Sequence, residues 1–522
     1  MKKVTLVIFN EKTPIDWSCG EKISINFTTN DLLANREKIL ETNCDYILFW
    51  DAINALPKSS DLENVIKTKG NLWHIGSLIG LKDKPELLDY IQPTSMLHVR
   101  IDSKIDHSSW KNSFRGCLLE KKVFKLVLLA NYSNSLDIIS LDFGYKALKS
   151  GVFTRYSTEL TKTLNEIDNL QINLKEELQF IQQNFDTKAL YWTYLNNFFK
   201  VSPFTFYKIN KERKHSFLKT FDQNLKKNIL KDKDLSVSVV IATLERYSFL
   251  IAELIELRKL EIPLKEIIII DQTPEEKRSI EFLKGFDDLP IVYLESEVIG
   301  QCTARNLGIK HATSKFIWFL DDDMEDIPVN YLRKHLETIY SFKADISCGI
   351  PDEIGTKYID RSESKIEVSD GFPTNDVLVK RNLIDEVGGF DVKMDQKQSE
   401  DQEIGLRCVK KGALSVKNNQ LRIIHLRAPR GGLRNHNVRK ITFSSSRNNL
   451  FQRRYFHESE IYLNLKHFSK TKTVKSILLN LRGTFVIRGS FFKKVLKIIV
   501  STLFLPYSIL ILYKKYSKAK QY

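Results

Sequence analysis

Two apolar runs near the middle of the chain stop abruptly at carboxylates. Phe316-Ile317-Trp318-Phe319-Leu320 is followed by Asp321, Asp322 and Asp323, and Ile267-Ile268-Ile269-Ile270 by Asp271. Apolar runs without polar alternation suit strands covered on both faces, the habit of parallel sheets. A β-branched stretch, Ser236 to Ile241, precedes leucines and isoleucines at helical spacing from Arg246 to Leu260. This strand–helix–strand succession predicts an α/β domain. Such sheets bind ligands at the carboxyl ends of their strands, where these aspartates would lie. Adjacent carboxylates repel one another unless a cation neutralises them, and the hard ions Mg²⁺ and Mn²⁺ take oxygen ligands of this kind. An EF-hand loop is excluded, because Asp326 stands where that loop needs glycine and Leu332 where it needs its last glutamate.

Further short motifs follow in order: Val239-Val240-Ile241-Ala242-Thr243, Ile270-Asp271, Ala304-Arg305-Asn306-Leu307-Gly308, the Asp321–Asp323 triplet, Val387-Gly388-Gly389-Phe390-Asp391 and Glu400-Asp401. Together, residues 235–435 resemble an inverting family 2 glycosyltransferase of the GT-A-type, nucleotide-diphospho-sugar transferase fold, a mostly parallel sheet with helices on both faces. Ala242 and Leu244 depart from the family pattern at positions where proline and an aromatic are usual. The resemblance implies a Mn²⁺ or Mg²⁺ site at Asp323, Asp321 and His425. It implies a nucleotide-sugar donor, with a UDP-sugar favoured, lined by Thr243, Glu245, Asp271, Arg305, Asp321 and Asp322. Asp401 would take the acceptor proton as general base, with Glu400 orienting the site. A nucleotidyltransferase on a related sheet is the alternative within the same fold class.

The first 155 residues echo the same order. Ala34 to Ile39 leads into Tyr46-Ile47-Leu48-Phe49-Trp50-Asp51 as Ala304 to Ile309 leads into Phe316–Asp321, and Asp142-Phe143-Gly144 with Gly151 parallels Glu403-Ile404-Gly405 with Gly412. This predicts a duplicated, degenerate GT-A-like domain over 1–155. Its chemistry is missing: Ala52 and Ile53 follow Asp51, and Ser140 takes the place of Asp401. Residues 156–234, with Leu160, Leu164, Ile167 and Leu170 at helical spacing, predict a helical bridge. Arg427, Arg430, Gly431, Gly432 and Arg434 predict a basic loop able to close over a diphosphate.

Formal net charge is +16, and the last 62 residues hold thirteen Lys or Arg and no acid. Within this 436–522 tail, Ile498–Tyr513 is uncharged and apolar but interrupted by Pro506, and it falls short of the ~20 residues of a spanning helix. Basic flanks beside an apolar stretch predict a helix lying in the interface of an anionic membrane. Segregation of the cations away from stacking aromatics argues against a nucleic-acid partner. Met1-Lys2-Lys3 runs directly into an apolar strand, and the six cysteines show no paired spacing. Both point to a cytoplasmic protein bound peripherally to the inner face of the cell membrane. The acceptor expected there is a glycan or lipid-linked sugar of surface polysaccharide biosynthesis.

Overall fold

A computed structural model describes residues 2–162, 164, 170, 172–211, 218–354, 365–428 and 443–522. The apolar runs form strands in two sheets. The first contains β1 (Val4–Phe9), β2 (Lys22–Ile25), β3 (Tyr46–Asp51), β4 (Leu72–His74), β5 (His107–Ser108), β6 (Gly116–Glu120) and β7 (Thr154–Tyr156), in the order β2-β1-β3-β6-β4-β7-β5. The second half supplies β8 (Val237–Thr243), β9 (Glu266–Asp271), β10 (Ile291–Glu295), β11 (Phe316–Asp321), β12 (Met324–Glu325), β13 (Ile346–Cys348), β14 (Asp352–Glu353), β15 (Ile366–Val368), β16 (Asp376–Lys380), β17 (Ser415–Asn418) and β18 (Ile424–His425). Eight of them form a sheet ordered β10-β9-β8-β11-β16-β13-β17-β15, and the other three a small sheet ordered β12-β18-β14.

Apart from the extra edge strand β10, the large sheets superpose in topology. Replacing β2-β1-β3-β6-β4-β7-β5 strand by strand gives β9-β8-β11-β16-β13-β17-β15. The sense of pairing agrees at each junction: parallel on both sides of β1 and of β8, antiparallel at β3–β6 and β11–β16, and so to the far edge. The register agrees too, since Tyr46 opposes Glu120 as Phe316 opposes Lys380. In each half the antiparallel strand runs straight into a short helix, Lys121–Leu126 or Arg381–Val387. The second of these ends at Gly388, whose φ of 80° is a left-handed C-cap that glycine adopts without a Cβ clash.

The halves share a core. Met96 and Ile101, from the first half, are buried among Phe319, Phe372, Ile404 and Leu406 of the second. Gly405 permits this, because a Cβ there would lie 2.5 Å from Met96 Cε. Burying a methionine side chain contributes roughly 1.5–3 kcal/mol. Polar contacts reinforce the seam: Arg155 donates to the Gly412 carbonyl at 3.0 Å, and Lys69 pairs with Asp345.

The bridge contains helices Leu174–Asn184, Thr187–Asn196 and Pro203–Lys211. Leu160 lies in a short 3₁₀ turn, while Ile167, Arg430, Gly431, Gly432 and Arg434 lie outside the described residues. The tail folds into Glu458–His467, Lys470–Arg482, Phe491–Leu503 and Leu505–Ala519. The apolar Ile498–Tyr513 stretch is not one helix, because the chain bends by 60° between the last two elements. Pro506 explains the break: it cannot donate to the preceding turn but suits the first turn of a new helix. Among the described residues no single helix is long and apolar enough to cross a membrane.

Candidate metal and transfer site

Three parallel strands bring acids to one edge. Thr243 at the end of β8 opposes Asp271 at the end of β9, and Asp321 at the end of β11 opposes Ala242. Asp321 ends the strand while Asp322 and Asp323 lie in the turn to β12, and the triplet divides there. Asp321 remains half-buried at the cleft, whereas Asp322 turns inward to Arg246, whose Nη1 lies 2.8 Å from its Oδ1. Asp323 is buried and accepts from Ala428 N at 2.7 Å.

The small sheet completes this corner. β12 pairs antiparallel with β18, placing His425 opposite Met324, and His425 Nε2 lies 3.2 Å from Asp323 Oδ1. That contact is close but poorly aligned, so Asp323 Oδ1 is buried without a hydrogen-bond donor. One ligand atom each from Asp321, Asp323 and His425 fall within 4.8 Å of one another. Two carboxylates and an imidazole around an orphaned buried oxygen fit a divalent ion, which would supply the missing partner.

Behind the site, Asp322 is pushed up to about 6, by burial first and by the neighbouring Asp323, with Arg246 and Thr243 opposing. Deeper still, burial and the aspartate charges drive Glu253 well above the usual carboxylate range. Both its oxygens lack a protein partner, and a neutral carboxyl is the form such an environment favours.

The other side of the cleft is the first turn of the Glu400–Lys410 helix. Glu400 is buried and Asp401 half-buried. Burial, then the adjacent Asp401 charge, raises Glu400 to about 7 against the pull of Arg305. Arg305 spans the gap, with Nη2 3.1 Å from Asp321 Oδ1 and Nη1 3.5 Å from Glu400 Oε1. Its Gln301–His311 helix is anchored by Asp395, which accepts from Cys302 N at 2.6 Å. Such caps contribute about 1 kcal/mol. Asn306 fixes the following loop by exchanging hydrogen bonds with Phe390 N and O at 2.7 and 2.8 Å.

The structure thus brings together Asp321, Asp323, His425, Arg305, Glu400 and Asp401, but it gives other predicted residues different surroundings. Asp271 is fully buried, and its Oδ2 accepts from Tyr247 and Tyr293 hydroxyls at 2.6 and 2.8 Å while Oδ1 accepts from Thr273 N at 2.8 Å. A nucleobase would have to displace a tyrosine to reach it. Glu245, at φ 56°, turns outward and pairs with Lys277 at 3.0 Å. Asp322 faces Arg246, and buried Arg305 is already held between two carboxylates. Sequence reasoning missed Tyr247, Tyr293 and Arg246. Arg246 had a signal, as the cation opening the helix after the Thr243 turn; the tyrosines sat among ordinary apolar positions.

An α/β sheet whose parallel edge presents an Asp–Asp–His cradle facing a helix-borne carboxylate defines a GT-A-type transferase domain. Residues 238–392 match the model for Glycosyl transferase family 2, and this part of the chain is a family 2 glycosyltransferase domain. Among similar solved structures, GalNAc-T7 with UDP, GalNAc and Mn²⁺ is 16% identical over 40% of this chain, at TM-score 0.33; the chain spans 47% of its length. The mannosyltransferase PcManGT of Pyrobaculum calidifontis, in complex with GDP-Man and Mn²⁺, is 13% identical over 56% of this chain and 91% of its own, at TM-score 0.36. TarS 1–349 of S. aureus is 14% identical over 55% and 90%, at TM-score 0.35. No curated protein sequence matches the chain.

Proposed function

We propose that the second half transfers a sugar from a nucleoside-diphosphate donor, a UDP-sugar first among candidates, to a glycan or lipid-linked acceptor with inversion at the anomeric carbon. The carrying observation is the Asp321–Asp323–His425 cradle, tied through Arg305 to Glu400, the neighbour of Asp401 in the first turn of its helix. The acceptor hydroxyl oxygen attacks the anomeric carbon as its proton passes to Asp401, and the bond from that carbon to the diphosphate oxygen breaks. A Mn²⁺ or Mg²⁺ ion held by Asp321, Asp323 and His425 would stabilise charge on the departing nucleoside diphosphate. Arg305 keeps Asp321 and Glu400 at fixed separation, and Glu400, raised to about 7, carries only part of a charge beside Asp401 near neutral pH. The first half supplies scaffold without catalysis.

The test is a panel of nucleotide-sugars with Mn²⁺, assayed for the released nucleotide and for the anomeric configuration of the product. Release of a nucleoside diphosphate and an inverted product are expected. Release of pyrophosphate would identify a nucleotidyltransferase, and retained configuration would remove Asp401 as base of a single displacement.

The tail supports membrane association at the cytoplasmic face. Phe491, Phe492, Ile498, Ile499, Leu503 and Leu510 are exposed among lysines, which combines apolar insertion with attraction to anionic lipid. Truncation before Ser490 should abolish sedimentation with phosphatidylserine vesicles while UDP binding persists; unchanged sedimentation would place the anchor elsewhere.

A further inference from the structure

A cavity of about 1250 Å³ opens beside the transfer site, walled by residues 91–96 of the first half, the Thr187–Asn196 bridge helix, the Glu400–Lys410 helix and the tail from Ser476 to Val486. It exceeds the roughly 300–1,000 Å³ of an ordinary small-molecule pocket. Gln402 and Leu406, one helical turn apart, line it. Gln402 directly follows Asp401 on the Glu400–Lys410 helix, so the cavity lies against the element that carries the proposed base.

The lining is that of a site for a neutral hydroxylated chain. Tyr191, 45% exposed, offers a ring that can cover the apolar face of a pyranose, and Trp192 lies beside it in the wall. Gln92, Gln402 and Asn480 provide amides around them. Asn480 Oδ1 has no donor in the protein and is closed to solvent, so a sugar hydroxyl would satisfy it once the side chain turns into the cavity. The cations Lys188, Arg447 and Arg482 are offset by Asp186 and Asp370 in the same walls, and Arg482 lies over the Trp192 ring at 5.0 Å. Little uncompensated positive charge remains to select a phosphate.

We infer that this cavity is the acceptor-binding cleft for a neutral oligosaccharide, built jointly by the inactive half, the bridge and the tail. The inference rests on the transferase reading of Asp401. It gives the first half a role as one wall of the substrate site.

The full-length protein is titrated with short malto- and chito-oligosaccharides and followed by saturation-transfer NMR, with UDP plus Mn²⁺ as a separate ligand. At least one series should bind. Tyr191→Ala and Asn480→Leu should each weaken that binding by about tenfold or more, a loss of about 1.4 kcal/mol, and leave UDP–Mn²⁺ affinity unchanged, which also reports that they fold. Failure of both series to bind the wild-type protein, wild-type affinity in both variants, or displacement of the sugars by decyl phosphate would each overturn the proposal. Absence of Mn²⁺-dependent UDP binding in the wild-type protein would instead remove the transferase reading, and sugar binding would stand or fall separately.

Discussion

The two sheets share every strand pairing that the smaller one possesses, yet their carboxyl edges have opposite electrostatics. In the second half, Asp321 faces the cleft and Asp323 keeps an orphaned buried oxygen beside His425. In the first, Asp51 at the equivalent strand end is fully buried and closed off by Arg115, which lies 2.6 Å from it and 2.9 Å from Asp137. No counterpart of the small β12-β18-β14 sheet is present in the first half among the described residues. What both halves retain is a buried acid–base pair one turn apart: Asp142–Lys146 at 2.6 Å and Glu403–Arg407 at 2.6 Å. Frame contacts stabilise the fold in both halves, whereas crowded acids cost stability and persist only where they have a use.

The contrast breaks most sharply at the base. Asp401→Asn is expected to slow transfer by ~10²–10⁴-fold, the usual contribution of a positioned general base, with UDP and metal affinity unchanged. Its positional counterpart Ser140→Ala should not alter kcat; normal transfer by Asp401→Asn would contradict the assignment. For the cradle, Asp323→Ala should cost at least the ~10²–10³-fold associated with losing one preorganised charge-stabilising group and should abolish Mn²⁺-dependent UDP binding measured by calorimetry. Full activity in EDTA would remove the metal from the scheme.

Arg115→Met tests the closed edge through stability. Leaving Asp51 buried without its partner should cost about 3–5 kcal/mol, read as a lower denaturant midpoint; an unchanged midpoint would mean that the pair is not what closes the edge. Glu403 gives a pH test. Burial would raise this carboxyl, but His467, Arg407 and Lys466 outweigh it and lower it to about 2. The folded protein therefore binds fewer protons than the unfolded chain between about 4.5 and 2. The stabilisation is complete above that window and disappears as pH falls through it, by up to about 3 kcal/mol. Glu403→Gln should be less stable near neutrality and flatter in acid. The smallest effect is expected for Asp51→Asn, whose kcat should stay within about twofold of wild type, since groups remote from the reacting atoms add little to the barrier. A hundredfold loss in a folded variant would restore a catalytic role to the first half.

Local pattern carried much of this architecture. The isoleucine run and Phe316–Leu320 have the composition of strands buried on both faces, and each terminates at an acid, of which Asp321 meets the cleft and Asp271 is buried. The placement of Asp321 at a strand end, Asp323 in the turn after it and Asp401 in a helix first turn was legible because these are local features. The surroundings of Asp271 were not, since Tyr247 and Tyr293 reach it from separate elements 24 and 22 residues away. Such partners depend on tertiary packing, which periodicity does not encode. The outward turn of Glu245 follows a left-handed backbone that its residue type gives no reason to expect. The tail showed its apolar content, but the proline's capacity to start a new helix there emerged only from the packed fold.

Met96 and Ile101 have a consequence for inheritance. On the reading proposed above, the first half is a duplicate without activity of its own, and such a domain is normally free to erode. Here two side chains of the first half fill the interior of the second, and truncating a buried methionine alone typically costs about 2–5 kcal/mol, a sizeable share of the ~5–15 kcal/mol by which a domain outlasts unfolding. With that interlock in place, loss of the first half would expose the second to aggregation and proteolysis. Retention by structural dependence requires no enzymatic advantage, and it makes the pair heritable only as a unit.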